Sequence, residues 1–184
     1  AFVDGLVPLA CAPTQIAGRN RMIRTMIMDD IRNDPEWKGG EYKSPPAGLK
    51  PALQLLYIMS SAPLVQHRQA PSRDRADSVI RAYVEQRSRT TDANDMLYQF
   101  DASRDYDPSS RLEQVVTPVL AINSADDFVN PPELGLVERL LPRVKNAKFV
   151  MIPISDKTRG HGTHSLPAVW GEYLRDFLAV LPER

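Results

Sequence analysis

Two short loops in the C-terminal part of the chain hold the residues whose types and spacing could do chemistry. The first loop contains Asp126 and Asp127 and comes directly after an apolar run of strand length. The second contains His161 and His164 and follows the next such run. Because the carboxyl ends of parallel strands meet at one edge of a sheet, an acid after one strand and a histidine after the next can meet in space. The acid would hold the imidazole in one tautomer, so that the histidine can act as a general base.

The elements around these loops predict a small α/β unit. Apolar runs bounded by turn residues predict buried parallel strands over 117–123 and 147–154. A capping box that begins at Asn130 predicts a helix between them that runs to about residue 141, and a final helix is predicted over about 166–181. The order strand, helix, strand, loop, helix requires parallel pairing, with helices that cover the sheet.

The rest of the chain predicts one strand and a helical region. The apolar residues of 6–12, interrupted by Pro8, predict a short buried strand. The region that follows has no sustained period-two alternation, so we expect helices there and no sheet. These helices are predicted over 14–30, around 52–59, over 73–87 and over 91–102.

The composition disfavours several classes of protein. The 184 residues include 23 Lys and Arg against 23 Asp and Glu, a balance that argues against a dedicated nucleic-acid binder. No run of about 18 apolar residues occurs, so no membrane span is predicted. The one cysteine, Cys11, rules out an internal disulfide and a cysteine-rich zinc module, and we expect a small buried residue rather than a nucleophile.

Three motifs resemble the homoserine O-acetyltransferase-like branch of the α/β-hydrolases. Residues 33–42, with the sequence NDPEWKGGEY, and the pair Gly48 and Leu49 resemble the segment that leads into the cap of that branch. Residues 92–98 resemble its Asp-Ala-Asn cap motif, and residues 123–127 are similar to its acid loop. The resemblance covers nearly the whole chain. It implies an α/β fold, the C-terminal part of an α/β-hydrolase with parallel strands and a helical cap.

The resemblance also implies roles for residues of the two loops, in the triad order nucleophile, acid, histidine. Asp127 matches the triad acid because it precedes Pro131 in the D-x-x-x-P pattern, and His161 matches the glycine-histidine loop that holds the base. Asp126 and His164 are the alternatives. No cofactor is implied, and a metal held by the two histidines is disfavoured because no third ligand has suitable spacing.

The resemblance divides the chain into three parts and implies a missing group. Residues 1–13 would be a core strand of the hydrolase domain, 14–110 the cap with its lead-in, and 111–184 the C-terminal core with the acid and histidine loops. No G-x-S-x-G sequence occurs. We therefore expect the serine nucleophile and the oxyanion-hole donors upstream of Ala1, on a missing segment or a separate chain that is the N-terminal half of the same enzyme.

The function implied is acyl transfer or ester hydrolysis by a Ser-His-Asp mechanism, on a small-molecule ester or acyl donor. Leu53 stands where the homoserine enzymes of the branch carry an arginine, so a general ester hydrolase or a different acyltransferase fits at least as well. The alternative is a catalytically inactive, hydrolase-derived binding or assembly module. On either interpretation the chain alone is expected to be inactive, and homo-oligomerisation is left open.

Weaker signals lie in the helical region. His67 is predicted to be a surface residue of the cap. Four methionines could line an acyl pocket, although such residues more often belong to a core: Met22, Met26, Met28 and Met59. Three arginines predict a solvated helix face, with Asp29 and Asp30 to offset their charge: Arg19, Arg21 and Arg24.

Overall fold

A computed structural model describes residues 2–181 of the chain. These residues belong to two compact units: unit 1 consists of the chain up to Gln15 and from Tyr106 onward, and unit 2 consists of Ile16–Asp105. No helix in the described range is long and apolar enough to cross a membrane. The assignment of the middle of the chain to a cap, with boundaries at 13/14 and 110/111, stays a prediction.

Helices make up most of unit 2 and a smaller share of unit 1. The α-helices of the described residues are α1 Gly18–Arg32, α2 Leu49–Ser60, α3 Pro63–Gln69, α4 Arg73–Ser88, α5 Ala93–Asp101, α6 Leu136–Leu140 and α7 Pro167–Ala179. Turns of 3₁₀ helix occupy Pro35–Gly40, Ser109–Gln114, Pro132–Leu134, Leu141–Arg143 and Gly162–Ser165. The sequence did not predict α3, because its one buried apolar residue, Val65, gives no periodic pattern.

The predicted start of the first helix is wrong, whereas its end is close. The helix begins at Gly18 rather than at residue 14, because Ala17 is extended and Gly18 itself has a φ of 57°. The segment before Gly18 therefore cannot continue the helix. At the other end Asn33 caps the helix directly before Asp34 and a proline, as the restriction on residues that precede proline requires.

Unit 1 is built on two parallel strands, β1 Val119–Ser124 and β2 Ala147–Ile152, at the places that the apolar runs predicted. All residues of β1 are buried. Alternate residues of β1 pack into two different clusters on opposite sides of the sheet, as strand geometry requires. Because both sides are packed, the carboxyl end of β1 is fixed, and with it the loop that holds Asp127.

The two sides of the sheet are covered to different degrees. One side has a buried cluster made of Leu112, Val119, Ala121, Val137, Leu141 and Val144. The other side has three buried residues, Leu120, Ile122 and Ile152. Half-buried residues pack against these three, among them Trp170 and Phe177 of α7.

The short buried strand predicted over 6–12 forms in part: the segment lies parallel to β1 and exchanges backbone hydrogen bonds with it, but it is not a continuous strand and is mostly half-buried. It makes only isolated bridges to β1, at Leu6 and Leu9. Pro8 interrupts the ladder because a proline has no backbone N–H to donate. Two residues later Ala10 has a φ of 52°, in the left-handed region, and the extended conformation ends there.

The helix predicted over about 130–141 is also wrong as a single element. A 3₁₀ turn at Pro132–Leu134 is separated from α6 by Gly135, whose φ is 55°. The predicted capping box does not form, because Pro131 is extended and no helix begins directly after Asn130, whose side-chain amide donates to the backbone carbonyl of Ala10 at 2.7 Å. The Asn130 side chain therefore joins the acid loop to the N-terminal segment instead of capping a helix.

In unit 2, the two cap-like motifs bind each other through side chains. The Trp37 indole Nε1–H donates to the Asn94 Oδ1 atom at 2.8 Å, and the Asn94 amide donates to the Gly40 carbonyl at 3.0 Å. The Tyr42 hydroxyl donates to the Asp92 carboxylate at 2.5 Å and accepts from the backbone N–H of Ala93. We call Trp37, Gly40, Tyr42, Asp92 and Asn94 the clasp.

The Gly48-Leu49 pair of the first motif also has a structural explanation. A Cβ atom on Gly48 would lie 1.9 Å from the carbonyl oxygen of Asp30, so only glycine fits. The backbone N–H of Gly48 donates to the Asp34 carboxylate at 2.5 Å, while Leu49 is fully buried. Within unit 2 these residues fasten the start of α2 to the end of α1.

The methionines of unit 2 fall into two groups. Met28 and Met59 are buried, as the core interpretation predicted. Met22 and Met26 lie on α1 with 62% and 50% of their surface exposed, so they are not core residues. The acyl-pocket interpretation of these two stays a prediction.

Candidate active site

The acid loop fixes Asp127 directly after β1. The backbone N–H of Asp127 donates to the carbonyl of Ser124 at 3.1 Å, which turns the chain sharply at the strand end. Its carboxylate Oδ1 accepts the backbone N–H groups of Val129 at 2.7 Å and Asn130 at 3.3 Å. The side chain is completely buried. One carboxylate oxygen therefore holds the loop together, and the other is left to face a partner.

That partner is His161. The imidazole Nδ1 atom lies 3.0 Å from Asp127 Oδ2, and the ring is 26% exposed, whereas the carboxylate is 0% exposed. Because a carboxylate only accepts, this contact assigns the proton to Nδ1. The lone pair is then on Nε2, and no described residue hydrogen-bonds to that atom. A buried carboxylate behind a partly open imidazole is the arrangement that lets histidine accept a proton and be stabilised as imidazolium.

The alternative acid, Asp126, has a different hydrogen-bond partner. Its Oδ1 atom accepts a hydrogen bond from the Ser124 hydroxyl at 2.5 Å, and the residue is half-buried. Of the two neighbouring carboxylates, the structure thus brings only Asp127 to His161.

The alternative histidine, His164, lies beside His161 and not beside the acid. Its Nδ1 atom is 2.5 Å from the backbone carbonyl of His161, to which it donates, and the two rings meet edge-on with centroids 5.1 Å apart. The backbone carbonyl of His164 accepts the indole N–H of Trp170 at 3.1 Å. His164 therefore supports the histidine loop. Within residues 2–181 no group of three or more His, Cys, Asp or Glu side chains is placed to hold a metal ion.

Two buried threonines fold the histidine loop, and neither was predicted from the sequence. Thr163 accepts the backbone N–H of Arg159 at 2.8 Å, and Thr158 accepts that of Ser155 at 3.1 Å. Both threonines are at most 2% exposed. Their hydroxyls satisfy backbone groups that no strand or helix pairs here, so the loop holds a defined shape around His161.

Two asparagines connect the N-terminal segment to the acid loop. The Asn123 side chain accepts the backbone N–H of Cys11 at 3.2 Å and donates to the Cys11 carbonyl at 3.1 Å, while Asn130 holds Ala10. Burial raises the pKa of the Cys11 thiol, which keeps it protonated and argues against a nucleophile. A small pocket opens between these segments, lined by residues that include Leu9, Ala10, Asn123, His161, His164 and Trp170.

Leu53, which stands at the arginine position of the homoserine enzymes, is fully buried in unit 2. It packs in the core of that unit as part of α2. A charged side chain at this depth would need a partner to offset its desolvation. The position is therefore a packing position in this chain.

Solved structures share the fold of this chain over nearly its whole length. Homoserine O-acetyltransferase from Bacillus anthracis matches it with a TM-score of 0.83 and 19% identity, over 98% of this chain and 54% of that chain. Esterase E22 matches with a TM-score of 0.79 and 19% identity, over 96% and 55%. Homoserine O-acetyltransferase from Staphylococcus aureus matches with a TM-score of 0.73 and 18% identity, over 99% and 53%. No family model matches the sequence, and no curated protein matches it.

These similarities establish the fold and confirm the resemblance at that level. The chain has the α/β-hydrolase fold, in the C-terminal part that its motifs indicated. It spans about half the length of the solved structures it matches. The general class of its structural neighbours is that of α/β-hydrolase acetyltransferases and esterases.

Proposed function

We propose that this chain supplies the acid and the base of a Ser-His-Asp enzyme that transfers acyl groups or hydrolyses esters. One observation carries the proposal: Asp127 Oδ2 lies 3.0 Å from His161 Nδ1 while Nε2 has no hydrogen-bond partner in the described chain. The similarity in fold to acetyltransferases and esterases supports the same class.

In this mechanism His161 acts as a proton carrier. Its Nε2 atom takes the proton of a serine hydroxyl as the serine oxygen bonds to the ester carbonyl carbon. Asp127 stabilises the imidazolium through Nδ1–H. The imidazolium then gives its proton to the leaving alcohol, whose bond to the carbonyl carbon breaks and leaves an acyl-serine. Water or an acceptor alcohol, deprotonated by the same Nε2, then attacks the acyl-serine. The bond between the acyl carbon and the serine oxygen breaks, and the imidazolium returns its proton to that oxygen.

The proposal assigns the serine to residues other than these 184, because their sequence contains no G-x-S-x-G. We propose that the N-terminal half of the same enzyme, on a preceding segment or on a separate chain, provides the serine and the oxyanion-hole donors. The chain spans about half of each solved structure it matches, which is consistent with this proposal.

The substrate we propose is a small ester or acyl donor whose binding needs no positive charge at position 53. Leu53 offers no positive charge and is fully buried. Ester hydrolysis, or acyl transfer to an acceptor that needs no charge at that position, therefore fits better than acyl transfer to homoserine.

The test is the hydrolysis of p-nitrophenyl acetate by the complete enzyme that contains the serine-bearing half. We expect His161→Ala to lower kcat by about 10³-fold or more. His67→Ala, at an exposed position of α3, is the matched control and should leave kcat unchanged. A His161→Ala enzyme with full activity would contradict the proposal. Activity that is absent even from the unaltered complete enzyme, on a panel of small esters, would favour the inactive binding module.

A further inference from the structure

Arg24 is held in place by neutral groups only. Its Nε atom donates to the Asn20 Oδ1 atom at 2.9 Å, and its Nη1 atom donates to the Ser103 hydroxyl at 3.1 Å. The guanidinium carbon lies 5.3 Å from the ring centroid of Phe100. The side chain is half-buried, which corrects the solvated face that the sequence predicted at this position. These contacts fix the guanidinium without neutralising its charge.

A second arginine adds positive charge at the same place. Arg21 lies one turn earlier on α1, where residues three apart are neighbours, and it too is half-buried. Within the described chain no carboxylate is within ion-pair distance of either side chain. Burial, and then the charge of Arg21, lower the pKa of Arg24. Neither cause is offset by an acid, so the charge at this point of unit 2 is uncompensated.

The other arginine pairs of unit 2 provide a contrast. Arg32, at the end of the same helix, contacts the Asp101 carboxylate at 3.4 Å, and Arg104 contacts that carboxylate at 2.7 Å. Arg24 differs from both, because its guanidinium is half-buried and its hydrogen-bond partners are the neutral side chains of Asn20 and Ser103. A guanidinium has five N–H donors in a rigid fork, and the protein uses two atoms of this one, Nε and Nη1. Among the described residues no hydrogen bond to the Nη2 atom is found, so its N–H groups can bind an acceptor.

We propose that Arg24, with Arg21 beside it, binds a small oxyanion, the carboxylate or phosphate group of a ligand. The fork of a guanidinium matches two oxygens of such a group, and a pre-positioned fork loses little rotamer entropy on binding. The bound anion would supply the counter-charge that unit 2 itself lacks here. The proposal does not depend on the acyl-transfer chemistry proposed above.

The experiment titrates the full 184-residue chain with sodium phosphate and, separately, with sodium acetate, while sodium chloride keeps the ionic strength constant. The readout is the ¹H–¹⁵N signal of the Arg24 Nε–H group, with the thermal midpoint Tm as a second measurement. We expect a saturable shift of the signal and a rise in Tm that chloride alone does not produce. Stronger binding of phosphate than of acetate would indicate a phosphate-bearing ligand, and the reverse order a carboxylate.

Matched variants separate a binding role from a merely structural one. Arg24→Gln should weaken anion binding by about tenfold or more, and Arg24→Lys by less, because lysine keeps the charge but lacks the fork. Arg21→Gln should weaken binding several-fold through the loss of one nearby charge. Arg81→Gln is the control, because Arg81 is exposed on α4 and already paired with Asp77. For these variants binding is followed through Tm at fixed ionic strength.

The proposal is overturned if the Arg24 Nε–H signal of the unaltered chain shows no saturable shift up to about 50 mM phosphate. It is overturned likewise if chloride at the same ionic strength shifts the signal as much, because screening alone would then explain the response. It is also overturned if phosphate raises the Tm of the Arg24→Gln variant as much as it raises the Tm of the unaltered chain. If the Arg24→Gln variant does not fold, the proposal is tested with Arg24→Lys and Arg21→Gln. Unchanged binding in both Arg24→Lys and Arg21→Gln then contradicts the proposal.

Discussion

The acid–histidine pair of unit 1 and the clasp of unit 2 are both networks of hydrogen-bonded side chains, but they use their polar atoms differently. In the clasp, Asn94 both accepts from Trp37 and donates to the Gly40 carbonyl, and Tyr42 both donates and accepts. In the pair, His161 uses one ring nitrogen and leaves the other without a partner in the described chain. A network whose groups bind each other stabilises a fold, whereas one that ends on an open lone pair can do chemistry.

This difference is not visible in the motifs themselves. The cap-like segments and the acid loop carry the resemblance together, and nothing in their spacing separates a structural motif from a reactive one. The hydrogen bonds separate them. Variants of the pair should therefore change activity with little effect on stability, and variants of the clasp should do the reverse.

The largest expected effect is that of Asp127→Asn on activity. The asparagine amide would donate to His161 Nδ1 and move the ring proton to Nε2, so that the ring could no longer accept the serine proton. We expect kcat of the complete enzyme on p-nitrophenyl acetate to fall by about 10⁴-fold, because the ring would carry its proton on the wrong nitrogen. Asp126→Asn, next to it in the loop but hydrogen-bonded to Ser124 rather than to the ring, is the control and should retain most of the activity. Equal losses in the two variants would contradict the assignment of the acid.

The next effect is that of Asn94→Ala on stability. The change leaves the Trp37 indole N–H and the Gly40 carbonyl without their partner, which should cost about 2 kcal/mol of the free energy of unfolding. The chain has two tryptophans, one in each unit, so Trp170→Phe leaves Trp37 as the sole tryptophan, whose emission reports on unit 2. Urea unfolding in that background measures the loss.

Asn146→Ala is the matched control for this change, because Asn146 is exposed and makes one long side-chain hydrogen bond, to the Val116 carbonyl at 3.3 Å. It should shift the urea midpoint much less. An Asn94→Ala chain as stable as the control would show that the clasp does not stabilise unit 2.

The smallest expected effect is a loss of stability in acid. The Gly48 N–H and then the Glu36 N–H lower the pKa of Asp34, and the Tyr42 hydroxyl and then the Asp95 N–H lower the pKa of Asp92. A lowered pKa in the folded chain means that each carboxylate stabilises the fold fully above its unfolded pKa of about 3.9, and that this stabilisation is lost as pH falls through the lower folded value.

We therefore expect unit 2 to lose stability on acidification below about pH 4. Urea midpoints followed by Trp37 fluorescence across this range measure the slope. Asp92→Asn, which keeps a hydrogen-bonding side chain that does not titrate, should make the slope shallower. A slope unchanged by that substitution would show that the clasp carboxylate does not contribute.

Much of the fold could be predicted from sequence where one local signal was strong. The apolar runs placed β1 and β2, and the periodic segments placed α4, α5 and α7. The failures lie where a distant partner decides the local structure. Asn130 has the spacing of a helix cap, yet its amide binds Ala10, 120 residues away in sequence.

The site was predicted in part. The positions of Asp127 and His161 after consecutive strands indicated that they could meet, and the structure brings them to 3.0 Å. The choice between Asp126 and Asp127 came from the resemblance alone, because neighbouring aspartates look the same in a sequence. Thr158 and Thr163 could not be predicted, since a threonine in a loop is ordinarily exposed and only burial reveals its role.

The most direct measurement is the position of the ring proton on His161. The chain contains three histidines, so ¹H–¹⁵N spectra that correlate ring carbon protons with both ring nitrogens can be assigned with His67 and His164 substituted in turn. At a pH where the ring is neutral, we expect the proton on Nδ1 and a bare Nε2 in the unaltered chain, and the reverse in Asp127→Asn. A proton on Nε2 in the unaltered chain would contradict the assignment of His161 as the base.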